Sequence, residues 1–126
     1  MEPEPIVAPG MPKAIGPYSH AVRLGDTLYV SGQTGIDPAT GQPPSGFEAE
    51  ARQAFTNLKT VLDAAGSGLD HVAKVTVFLT DANNFGPMNE LFAEFFALRP
   101  PARATPVVAL PRGLQISIEA VAGLKI

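Results

Sequence analysis

Residues 100–122 read PPARATPVVALPRGLQISIEAVA, and the parsing of this run decides the fold. Two prolines end any helix before them, because proline lacks a backbone donor and its ring clashes with the preceding turn. An apolar run follows, then Pro111-Arg112-Gly113 with turn chemistry, then Ile116-Ser117-Ile118-Glu119-Ala120-Val121, which alternates with period two. The reading is two closing β-strands, roughly Ala104–Leu110 and Leu114–Ala122. Arg103 stands at the mouth of the first and Glu119 inside the second. Strand alternation puts Gln115, Ser117 and Glu119 on one face, and Ile116, Ile118 and Ala120 on the other.

Upstream of this run, Phe85 to Leu98 reads as a helix with Met88, Leu91, Phe92, Phe95 and Phe96 on its apolar face. Asp81 to Asn84 offer N-cap residues, and Pro87 fits only in the first turn. Val72–Leu79 is β-branched and nearly continuously apolar, the pattern of a central strand. Phe47–Ala65 is the clearest helix, with apolar residues at 3 and 4 spacing, Glu48, Glu50 and Arg52 on the polar side, and Gly66 to cap it. Residues 34–45 hold three prolines and two glycines, a loop with turn chemistry at Asp37–Gly41. Residues 20–33 form a hairpin around Gly25-Asp26. Residues 1–12, with Pro3, Pro5, Pro9 and Pro12, are an extended tail, loosely paired or packed. The element order is ββαβαββ: an α+β fold with a mixed sheet and two helices on one face. The bare face needs cover, which a second subunit can supply.

The length of 126 residues suits one domain, 1–126, and 45% apolar against 17% charged residues suits a packed core rather than disorder. With no cysteine, disulfides, thiolate catalysis and cysteine-held metals are excluded. A net charge of −3 argues against a general nucleic-acid footprint. The acidic, proline-rich start lacks the pattern of a signal peptide, and no apolar run is long enough to span a membrane. A cytoplasmic protein is expected. Only nine lysines and arginines serve the whole surface, which points to apolar area buried between subunits.

Several residues can carry chemistry. Arg103, stiffened by Pro100-Pro101, offers a two-pronged grip on a carboxylate; the residue by itself fits an ordinary surface ion pair better. Glu119, set among apolar neighbours, suits an acid or base, or a charge paired across a subunit contact. Tyr18 follows a Gly-Pro bend and offers a hydroxyl, or simple packing. Ser31-Gly32 ends a strand where glycine admits a close ligand or a bulge. Asn89 faces a cleft or solvent. His20 and His71 are far apart, without paired carboxylates, so no metal site is expected. Nucleotide and nucleophile-elbow motifs are missing, and no cofactor is called for.

Taken together, IGPYSHAV (15–22), LYVSGQTG (28–35), the helix end at 54–66, VxKVTVFLTD (72–81), MNxxFxxFF (88–96), PPARAT (100–105) and IEAVA (118–122) resemble the RidA/YjgF family, also labelled L-PSP endoribonuclease. The resemblance implies a chorismate-mutase-like α+β fold, assembled as a homotrimer with clefts between subunits. It also implies cofactor-free hydrolysis of reactive enamines and imines, such as 2-aminoacrylate, to 2-keto acids and ammonia. On this basis Arg103 is the residue that grips the substrate carboxylate. Tyr18, Ser31, Gly32, Asn89 and Thr105 are further substrate-binding positions, and Ser117 and Glu119 join Arg103 as catalytic candidates.

Two departures from the family pattern stand out. Where active members carry the first of two glutamates, credited with positioning the attacking water, this chain has Ser117. The segment Ala104–Ala109 is also one residue short and contains Pro106. A binding module that holds a small carboxylate or 2-keto acid without turnover is the alternative reading. Ribonuclease action is the third, disfavoured by the acidic balance.

Overall fold

The computed structural model describes residues 1–11 and 13–126; Pro12, last of the four tail prolines, lies outside the described residues. The elements are β1 (Glu4–Ile6), β2 (Ala21–Leu24), β3 (Thr27–Thr34), α1 (Phe47–Ala64), β4 (Val72–Leu79), α2 (Phe85–Phe95), β5 (Ala102–Ala104) and β6 (Ile116–Gly123). They build a six-stranded sheet in the order β1-β2-β3-β6-β4-β5. The β4–β5 pair is parallel and the others antiparallel.

The expected ββαβαββ order holds, with one strand added in front. The tail is not merely loose: Glu4–Ile6 pairs with β2 in the register Pro5↔Val22. Pro5 is tolerated there because β1 is an edge strand, where a missing donor breaks no inner ladder.

The closing strands are corrected more strongly. They do not pair with each other. β6 inserts between β3 and β4, while β5 lies on the far side of β4. The first is also not Ala104–Leu110 but the three residues Ala102–Ala104. Pro106 cannot donate, so the ladder stops before it. The chain still tracks β4 by other groups: Leu79 N–H donates to the Pro106 carbonyl at 3.0 Å, and Val108 N–H donates to Leu79 O at 2.8 Å. Helix α2 ends at Phe95 rather than Leu98.

Both helices cover one face. Along β4, Val75, Val77 and Leu79 are fully buried, as are Ile116 and Ile118 of β6. Phe55 of α1 stacks on Phe95 of α2 at 5.1 Å and meets Phe92 edge-on at 6.1 Å; such aromatic pairs add about 0.5–1.5 kcal/mol beyond the area they bury. Gly66, at φ +80°, ends α1 as expected. Ser67 N–H donates to Leu62 O at 2.9 Å and Gly66 N–H to Asp63 O at 3.3 Å, the paired bonds of a Schellman cap. Asp81 caps the turn before α2 by accepting from Asn83 N–H at 2.9 Å.

Glu50, expected on the polar side of α1, is only 3% exposed. Its carboxylate accepts the Gln115 backbone N–H at 2.7 Å and the Gln115 side-chain amide at 3.0 Å. Two donors compensate the buried charge and fix the residue that leads into β6.

Candidate active site

Two groups of side chains can do chemistry, and the sheet separates them. The first lies on the helix-covered side at the β5 edge. Arg103 is opposite Val75 in the parallel β4–β5 register, so it shares the face of that fully buried valine. Its guanidinium carbon sits 4.7 Å from the Phe92 ring centre and 5.4 Å from that of Phe85, both within the roughly 6 Å range of cation–π attraction. Nη1 approaches Met88 Sδ at 3.9 Å. Among the described residues, the ion pairs are Arg52–Glu94, Lys59–Asp63 and His71–Asp70. Arg103 is in none of them. The ordinary-ion-pair reading of Arg103 therefore has no carboxylate to rest on within this chain. Asn89, one turn beyond Phe85 on α2, is half-buried and its side chain makes no hydrogen bond to a described residue. Thr105 follows β5 directly, two residues from Arg103.

The second group lies around Gly32. The β3–β6 register shifts between Val30 and Gln33, so a bulge places Ser31-Gly32 against Ser117. A Cβ built on Gly32 would stand 2.6 Å from Ser117 Oγ. Glycine is what permits this approach, and the bulge is the second of the two uses the sequence offered for it. Ser117 Oγ has no hydrogen-bond partner among the described residues and is half-buried.

Ser31 ties down the preceding segment. Its hydroxyl donates to Ser19 O at 2.6 Å, and its N–H donates to His20 O at 2.9 Å. The Gln33 amide reaches His20 Nδ1 at 3.4 Å. Tyr18, 45% exposed, lies edge-on to His20 with ring centres 6.4 Å apart. Tyr18, Gly32 and Gln33 border one small recess. Glu119 is on the same open face as Ser117, exposed and cross-strand from Thr76, and forms no ion pair with a described residue. It borders a shallow depression with Tyr29 and Lys74.

The structure thus brings Tyr18, Ser31, Gly32 and Ser117 together, with Glu119 two residues along the same strand face. Arg103, Asn89 and Thr105 form a separate rim. Arg103 and Glu119 are on opposite faces of one sheet and cannot act on one small molecule within a single chain. Sequence reading missed the ring-lined seat of Arg103. Phe85, Met88 and Phe92 recur at the 3 and 4 spacing of one helical stripe, but the sequence reading takes Met88 and Phe92 as the apolar face and gives Phe85 no role. It also missed Glu50, whose place in the first turn of α1 gives no sign that its carboxylate turns toward β6.

This small α+β domain therefore carries, at one rim, a guanidinium that forms no ion pair with a described residue, and, away from it, a small recess bordered by Tyr18, Gly32 and Gln33. Residues 9–124 match the family model described as Endoribonuclease L-PSP, and the chain belongs to that family, the RidA/YjgF group its motifs resemble. A mouse 2-iminobutanoate/2-iminopropanoate deaminase is 50% identical over 113 residues, 88% of this chain and 84% of the relative. The RidA structure from the Antarctic bacterium Psychrobacter sp. superposes with a TM-score of 0.92 at 42% identity, covering 96% of this chain and 99% of the other. E. coli TdcF with bound serine superposes at 0.91 with 36% identity, covering 97% and 99%.

Proposed function

We propose that this protein hydrolyses 2-imino acids, formed from 2-aminoacrylate-type enamines, to 2-keto acids and ammonia. The observation that carries the reading is the half-buried Arg103 with no acid of its own. A guanidinium held in place and left without a counter-charge is ready to take a planar carboxylate by two parallel hydrogen bonds. The relatives named for iminobutanoate and iminopropanoate, and the serine held by TdcF, are or contain such a carboxylate beside nitrogen.

In this mechanism Arg103 fixes the carboxylate, with Asn89 and Thr105 beside it. The imine carbon faces the Ser31-Gly32-Ser117 recess. Water attacks that carbon, the nitrogen takes a proton, and the carbinolamine collapses to a carbonyl with loss of ammonia. Ser117 can orient the water by a hydrogen bond but is no base near neutral pH, so catalysis leans on orientation. The two groups lie on different faces of one chain, which supports a homotrimer whose clefts each join the Arg103 rim of one copy to the Ser117 recess of the next. Tyr29, 47% exposed on the open face, and Val107, 54% exposed at the β5 edge, are apolar area for such contacts. No described helix is long and apolar enough to cross a membrane, and a cytoplasmic site of action goes with the proposed chemistry.

The test is keto-acid release from a freshly generated imine by wild type and Arg103→Ala. Loss of a hydrogen bond to a charged group costs about 1.5–3 kcal/mol, so kcat/KM falls roughly ten- to a hundredfold. Equal rates sink the proposal. One observation favours a second reading, binding without turnover: Ser117 supplies no acid where the water should be held. Tight 2-keto-acid binding with no ammonia release would decide for it. RNA cleavage is least favoured for a chain of net charge −3.

A further inference from the structure

Phe85 is an anomaly on α2. The other aromatic residues of this helix pack around Phe55, and Phe92, at 7% exposure, belongs to the core. Phe85 does not. It is 44% exposed, lies in the first helical turn, and joins no aromatic pair among the described residues. Its one ring contact is with the Arg103 guanidinium, at 5.4 Å. An exposed phenylalanine loses hydrophobic free energy to water unless something covers it. What lies beside it is a cation that forms no ion pair with a described residue.

We propose that Phe85 is a positioning and specificity residue of the carboxylate site, selecting 2-imino acids with apolar side chains. This deepens the proposed deaminase reading and rests on it. Phe92 and Met88 form the buried floor of the Arg103 seat, and Phe85 forms its exposed wall. Free arginine carries large rotamer entropy. Rings on two sides remove much of it before a ligand arrives, so less is lost on binding. The carboxylate meets the guanidinium edge that the rings leave open. The carbons beyond the imine then lie near the exposed part of the Phe85 ring, where each covered methylene leaves water.

The test compares wild type, Phe85→Ala and Phe85→Leu on 2-iminopropanoate and on the imino acid of leucine. Both are generated in situ by an amino-acid oxidase, with Arg103→Ala run in parallel. Phe85→Ala should raise KM for 2-iminopropanoate roughly two- to fivefold, the range of an exposed cation–π contact, with kcat little changed. It should also lower the preference for the leucine-derived substrate, by roughly fourfold for each methylene that had been fully covered. Phe85→Leu keeps an apolar wall without a ring quadrupole. It should retain the preference while still raising KM for the small substrate. Unchanged KM and preference in Phe85→Ala, with Arg103→Ala still impaired, overturns the role of Phe85 and leaves the deaminase reading intact. Dissociation of the assembly, or an equal fall in kcat for both substrates, makes Phe85 a packing residue and also overturns it. Full activity in Arg103→Ala is a failure of the underlying reading instead.

Discussion

The rim around Arg103 and the recess around Ser117 are built on opposite principles. At the rim a charged group lies against two rings and a thioether and forms no ion pair with a described residue. In the recess, hydroxyls and a glycine sit on backbone held by short hydrogen bonds, with Ser31 tied to Ser19 at 2.6 Å. One half can bind charge and the other can place water. Neither can do both, and the sheet between them keeps them apart in one chain. Under the proposed function, a sheet edge and a sheet face of this small domain would form a single site only through assembly.

The largest expected effect tests that separation. Arg103→Ala and Ser117→Leu should each lose roughly ten- to a hundredfold in kcat/KM, the first by losing a charge-assisted contact and the second by placing bulk against Gly32. Co-assembled, they should recover part of the activity, because some clefts then join two intact halves. No recovery in mixed assemblies, measured by keto-acid release, would mean each chain holds its own site.

Next comes Ser117→Glu. If the recess only lacks an acid to orient water, turnover should rise, on the order of tenfold and below the 10²–10⁴ typical of well-placed acid–base groups. Single-turnover kinetics would read the gain, and no gain would mean that orientation by Arg103 already limits the rate.

Glu50→Ala should cost stability, about 1–3 kcal/mol in urea unfolding, by stranding the part-buried Gln115 donors just before β6. A value near zero would remove Glu50 as the anchor of the recess strand.

The smallest effect is at the exposed Arg52–Glu94 pair, away from both halves. The hydrogen bond from the Arg52 guanidinium, with its charge, holds the Glu94 carboxyl below the usual carboxylate range. A depressed carboxyl contributes stability above its ordinary pKa and loses it as pH falls through the lowered one. Arg52→Ala should therefore lower Tm slightly at neutral pH and not at all in strong acid, with activity untouched. Exposed pairs of this kind contribute little.

Much of the site was legible along the chain. Period-two alternation put Ser117 and Glu119 on one face of β6, and the structure does the same. The PPARAT motif singled out Arg103, and Gly66 ended α1 where expected. Three features were not legible. β1 is three residues containing a proline, too short for any periodicity. β5 reads as a longer apolar run because sequence does not say which donors the sheet needs beside Pro106. Phe85 is not among the apolar-face residues read from the helix, and no local period shows that its ring reaches the Arg103 guanidinium.

The sequence by itself determined the type of each main element and that Ser117 and Glu119 of β6 share a face, because those follow from backbone periods of two and of about 3.6 residues. It also determined which residues match the family motifs. Only the tertiary structure decided that β6 inserts between β3 and β4, that Arg103 faces the helices while Ser117 faces away, and that rings rather than an acid surround the guanidinium. Neighbour order and side-chain company are set by long-range packing of the two helices on one face of the sheet, and no local period encodes them.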